Sequence, residues 1–117
     1  MIVKNEYPIL EYSTAYEAVI NPWRMQLKFP RLCLVTFFEE VFDDVVKKYG
    51  GEVLGVYSSE MKDFPVHRIV HKGTELCVVQ AVVASGSIGM MTDWLYGQGV
   101  EVMVCCGGCG VLDEVPA

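Results

Sequence analysis

The residues best suited to chemistry stand together in the stretch VEVMVCCGGCGVLDEVPA, residues 100–117 of the 117-residue chain. Cys105, Cys106 and Cys109 are the types that ligate soft metals or form redox pairs. Gly107, Gly108 and Gly110 are the type that lets peptide N–H groups approach an anion or a sugar. Consecutive residues on a strand point to opposite faces, so Cys105 and Cys106 do not readily bind one ion. The histidines, His67 and His71, share a face of a different strand and have no carboxylate close by in sequence. No metal site is therefore expected. A redox pair of Cys106 and Cys109 would sit among glycines and not at a helix N-terminus, which is what lowers a thiol pKa.

Two readings of Gly107-Gly108-Cys109-Gly110 stay open. One is a backbone cradle at the carboxyl end of a strand, where ligands gather in open α/β sheets. The other is a tight turn that needs positive φ. Elsewhere the chemistry-bearing types have plainer places. His67 and His71 are expected on the solvent side of a hairpin strand. Glu39, Glu40, Asp43 and Asp44 form a solvated helix face, and Trp94 with Met90 and Met91 belongs to a core.

The elements that must position these residues follow from periodicity. LCLVTF (32–37) has the length of a strand. FEEVFDDVVKKYGG after it puts Val41, Phe42, Val45 and Val46 on one helical face, with acids early, lysines late and glycines to close it. EVLGVYSS is a strand. PVHRIVH and KGTELCVVQAVV form a hairpin turning near Lys72-Gly73-Thr74. ASGSIGMMTDWLYGQG (84–99) is helical, and VEVMVCC (100–106) is a strand apolar enough to be central and buried on both faces. The order strand, helix, strand, hairpin, helix, strand predicts an α/β domain with a mixed β-sheet flanked by helices, over residues 31–117. Residues 1–30, with Pro8, Pro22 and Pro30, read as an extended arm with one turn near STAYEAVI capped by Ser13 or Thr14. Such arms wrap their own domain or reach a neighbouring subunit.

Composition excludes several classes. The net charge is −6, and no basic run exceeds Lys47-Lys48, so no nucleic-acid partner is expected. No apolar stretch approaches the roughly 18 residues a membrane span needs, and MIVKNEYPILEY does not read as a secretory signal. Five cysteines, an odd number, with Cys33 and Cys77 inside apolar runs, favour reduced thiols and a cytoplasmic setting.

Taken together, PVHRIVHKGTELCVVQAVVASGSIGMMTDWLYGQGVEVMVCCGGCGVLDEVPA resembles the nucleoside phosphorylase family of the purine and uridine type, and YPILEYSTAYEAVINP with FPRLCLVTFFEEV resembles a poorly characterised phosphorylase-like branch of it. The resemblance implies a phosphorylase/hydrolase-like domain, truncated to its N-terminal part. It implies an activity, phosphorolysis of a nucleoside N-glycosidic bond, with phosphate as co-substrate, no cofactor, and a homo-oligomeric state. A nucleoside, nucleobase or pentose phosphate is the implied ligand. The implied substrate and phosphate contacts are degenerate and fall on Ala84, Ser85, Gly107, Gly108, Cys109 and Gly110. Where the family has Arg-x-Gly-Ser/Thr-Cys-Gly, this chain has Cys105 at the arginine and Gly108 at the hydroxyl. Where it has Gly-x-Gly, this chain has Val82 and Ala84, and the early Gly-Asp-Pro-x-Arg loop has no counterpart. The expectation is thus a phosphorylase-like protein of weak or absent turnover, or else a non-catalytic module that oligomerises through the same fold, a second copy or its N-terminal arm covering the unpaired edge that truncation would leave on VEVMVCC.

Overall fold

The computed structural model describes residues 2–15 and 20–112; the expected turn near 13–20 and the last residues of the chain fall largely outside them. Two short strands, β1 (Ile2–Val3) and β2 (Tyr12–Ser13), pair antiparallel. The domain then runs β3 (Leu32–Thr36), α1 (Glu39–Tyr49), β4 (Glu52–Ser58), β5 (Asp63–His71), β6 (Thr74–Gln80), α2 (Ser85–Gly97) and β7 (Val102–Cys106). Every element expected from periodicity between residues 32 and 106 is present, and the class is α/β with a five-stranded mixed sheet in the order β4-β5-β6-β3-β7.

The sheet is built from an antiparallel meander, β4 to β6, joined to a parallel set. β3 lies parallel to both β6 and β7, so β5 alone runs against the others. The β5–β6 hairpin turns through Lys72 and Gly73, both at positive φ, as the twist of a two-residue connection requires. Helix α2 carries the chain from β6 across β3 to β7. The carboxyl ends of β3, β4, β6 and β7 therefore share one edge of the sheet.

The helices take opposite faces. Phe42 of α1, with Val45, Val46 and Tyr49 around it, packs on Ile69, Val78 and Leu34. Met91, Trp94 and Leu95, at the i, i+3, i+4 spacing of one helical face, bring α2 onto Cys33, Val35, Cys77 and Val79. Fully burying each such side chain contributes about 1.5–3 kcal/mol. Val41 and Met90, expected in the core, are exposed.

The segment before β3 divides in two. Its second half wraps the domain. Pro22–Arg24 forms a 3₁₀ turn against α2, Phe29 is buried against Trp94, and the buried Gln98 ties the segment down. The Leu27 N–H donates to Gln98 Oε1 at 2.9 Å, and Gln98 Nε2 donates to the Pro22 carbonyl at 2.6 Å.

Two local expectations are corrected. β7 is not a central strand: it pairs only with β3, and Val102 and Val104 are exposed because α1 sits over β3, β5 and β6 and stops short of it. His67 is not on the solvent side. Its ring packs edge-on against Phe42 at 5.6 Å beneath α1, and its Nδ1 lies 3.0 Å from the Gly51 carbonyl.

Candidate functional site at the carboxyl edge of the sheet

Thr36 marks the centre of the edge. In register, Gln80 of β6 and Cys106 of β7 stand on either side of it. Thr36 is buried, its Oγ1 accepts the Phe38 N–H at 3.2 Å, and its carbonyl accepts the Ala81 N–H at 2.7 Å. The Phe37 N–H donates to the Cys106 carbonyl at 3.0 Å. These bonds lock together three chain segments that leave the sheet side by side: Phe37-Phe38, Ala81–Ala84 and the glycine stretch from 107.

The residues expected from sequence all lie at this edge, on two sides of β3. Ala84 and Ser85 open α2. Ala84 has φ +92° and ψ 139°, a conformation that costs a residue with a Cβ about 1–3 kcal/mol. No side chain caps α2 at its start. Gly107, Gly108, Cys109 and Gly110 continue from β7, and none of these glycines takes the positive φ that a tight turn would need. Their small size serves close approach instead. A Cβ on Gly107 would stand 3.0 Å from the Phe37 ring, and one on Gly108 would lie 3.6 Å from the ring of Phe38. A side chain at either position would meet a phenyl ring, while Gly107 and Gly108 themselves stay exposed.

The arginines of the chain are Arg24, Arg31 and Arg68. Arg31 precedes β3 and is paired with Glu101 at 2.7 Å, at the opposite end of the strand. Arg68 is held by Glu75, and Arg24 sits in the 3₁₀ turn whose Pro22 lies against Gly97 at the end of α2. Lys62 stands nearby but is committed to Glu39 at 2.7 Å. A phosphate there lacks the bidentate cation whose charged hydrogen bonds are each worth roughly 1.5–3 kcal/mol.

The thiols separate by burial. Cys33 and Cys77 are register partners on β3 and β6, both buried, and the neighbouring Cys77 thiol together with burial pushes the Cys33 thiol far above its ordinary pKa. Cys105, Cys106 and Cys109 are exposed. Among the described residues no group of three or more His, Cys, Asp or Glu side chains is placed to hold a metal ion.

A cleft at the same edge was not foreseen from sequence. It has a volume of about 540 Å³ and opens between the β4–β5 loop and the start of α2. Tyr57, Phe64, Val82 and Met90 give it apolar walls, and Gln80 and Ser87 place an amide and a hydroxyl in its lining. Met61, Val83 and Met90 leave apolar surface exposed at its margin. The loop that completes it, Ser59 to Lys62, is held by Ser59, whose hydroxyl donates to the Lys62 carbonyl at 3.0 Å and accepts the Met61 N–H. No periodic pattern marks such a cleft, because it forms between segments more than twenty residues apart.

No protein-family model matches the chain, and no curated protein matches it in sequence. Among the described residues no helix is long and apolar enough to cross a membrane.

Proposed function

We propose that this chain is a nucleoside phosphorylase-like protein that binds a nucleoside, a nucleobase or a pentose phosphate at the carboxyl edge of its sheet, with weak or absent phosphorolysis. The cleft at this edge, lined by Gln80, Val82 and Ser87 but by none of the six residues expected from sequence, carries the reading. Its volume of about 540 Å³ lies in the range of about 300–1,000 Å³ usual for small-molecule sites, and its apolar walls with a few polar groups suit a flat heterocycle bearing hydroxyls. Catalysis in such chemistry rests on positioning phosphate and stabilising an oxocarbenium-like sugar. Cys105 and Gly108, where the resembling family has an arginine and a hydroxyl, weaken the phosphate half.

The test is a thermal-shift titration with inosine, uridine, free bases and ribose 1-phosphate, each with and without phosphate. Binding raises the melting temperature in proportion to RT ln(1 + [L]/Kd). The expected result is a rise with a nucleoside or base that phosphate barely alters. A flat response to the whole panel at millimolar ligand would remove the ligand-binding function.

A second reading, a non-catalytic module that associates with its own kind, is favoured by the bare edge of β7. Among the described residues its five-residue apolar strand has no partner on one side, a ready template for association.

A further inference from the structure

One ridge of α2 runs past the cleft and beyond it. Ser87, Met90 and Asp93 stand at i, i+3 and i+6, so they follow one another along the helix at steps of about 4.5 Å. Ser87 and Met90 line the cleft of about 540 Å³. Met90 and Asp93 line a smaller cavity of about 150 Å³, between α2 and the wrapped segment at Asn21, Pro22 and Met25. Tyr57 also lines both, so the two cavities meet across Tyr57 and Met90. Met90 is 57% exposed, and its unbranched side chain is of the kind that yields to a ligand.

The polar groups of the smaller cavity are unequal. Trp94 Nε1 donates to Met25 Sδ at 3.1 Å, and Asn21 Oδ1 accepts the Trp23 N–H at 3.1 Å. Asp93 is exposed, and among the described residues no hydrogen bond or ion pair engages its carboxylate. Nor does a lysine or arginine stand among the described residues that line this cavity. In the larger cleft Lys62 is committed to Glu39 at 2.7 Å, and Glu60 stands in the lining. A ligand spanning both cavities meets apolar and aromatic walls at one end and an acceptor-only anion at the other.

We propose that the joined cavities take a whole nucleoside, its heterocycle in the cleft beside Val82 and Ser87 and the vicinal hydroxyls of its pentose on the Asp93 carboxylate. This inference rests on the nucleoside reading of the cleft and chooses among the three ligand classes that reading allows. Two adjacent hydroxyls donate to one carboxylate, as they do where an acidic residue holds a ribose in dinucleotide sites. A free base leaves Asp93 in water and gains nothing from it. A pentose phosphate brings its anion toward Asp93 and Glu60, and repulsion between like charges costs affinity.

The experiment is a calorimetric titration of the full chain with inosine, its dideoxy analogue lacking both vicinal hydroxyls, hypoxanthine and inosine monophosphate, repeated with the corresponding uridine series. The expected result, in at least one series, is a nucleoside that binds about tenfold or more tighter than its dideoxy analogue, its free base and its monophosphate. Asp93→Ala should lower nucleoside affinity about tenfold, through loss of hydrogen bonds to a charged group, and leave the free base unchanged. Asp93 is exposed and alanine is the better helix former, so the variant is expected to fold, which circular dichroism checks. The dideoxy comparison needs no variant at all. Equal affinity for nucleoside and dideoxynucleoside, or a loss in Asp93→Ala that is absent or shared equally by the base, overturns the Asp93 contact and leaves the cleft reading standing. No binding by any member of either series overturns both.

Discussion

The ring of Phe37 lies against Gly107, so that a Cβ at 107 would stand 3.0 Å from its Cδ2. That approach joins the end of β3 to the turn after β7, and the Phe37 N–H bond to Cys106 fixes it. Gly107→Ala is expected to cost up to about 1 kcal/mol as the half-exposed ring shifts, within the small-to-large range for a site that can give. Gly108→Ala, whose Cβ meets Phe38 at an ordinary 3.6 Å, should be neutral. Urea unfolding of the two variants separates them, and equal losses would mean the turn needs glycine for its backbone.

Ala84 holds a conformation that suits glycine, at the point where β6 hands the chain to α2. Ala84→Gly should therefore stabilise the protein by about 1 kcal/mol, the relief of strain exceeding the added freedom of the unfolded chain. A rise of about 4 °C in melting temperature is expected for a domain of this size. A fall would show that the methyl group packs usefully there.

Gln98 is the knot between the wrapped segment and α2. Gln98→Leu keeps the bulk but leaves the Leu27 N–H and the Pro22 carbonyl without their partners, at about 1–3 kcal/mol for each buried group. Gly97→Ala acts on the same contact by placing a Cβ 2.6 Å from the Pro22 Cβ. Both variants should lower the urea midpoint, and proteolysis should open the chain near residues 22–30 first. Wild-type midpoints would mean that this segment adds nothing to stability.

The five thiols should titrate in two classes. Cys105, Cys106 and Cys109 are exposed and should react with a disulfide reagent in the native protein. Cys33 and Cys77 are buried, and the Cys33 thiol is held up by the neighbouring Cys77 thiol and by burial, so no thiolate forms at Cys33 near neutral pH. Three equivalents are expected before unfolding and five after it. Four or more in the native protein would mean that the face under α2 opens readily.

Much of the fold was legible because its signals are local. Val45, Val46 and Phe42 stand at helical spacing against charged neighbours, and the Lys72-Gly73 pair sits between two strand-like runs; helix α1 and the β5–β6 hairpin follow directly. The residues expected to touch a ligand do fall at carboxyl ends of strands, but none of them lines the cleft. What stands beside the glycine turn was not legible, because the Phe37 and Phe38 rings follow a strand that comes about seventy residues earlier.

The sequence by itself determined the class of the fold, the order of its elements and the solvated face of α1, all of which depend on neighbours within a few residues. Only the tertiary structure decided that α1 stops short of β7, that His67 lies beneath α1, and that a cleft opens between the β4–β5 loop and α2. An apolar run reads the same whether its strand has one neighbour or two, and whether a helix reaches over it. Those outcomes depend on where distant segments pack, and no local periodicity encodes that.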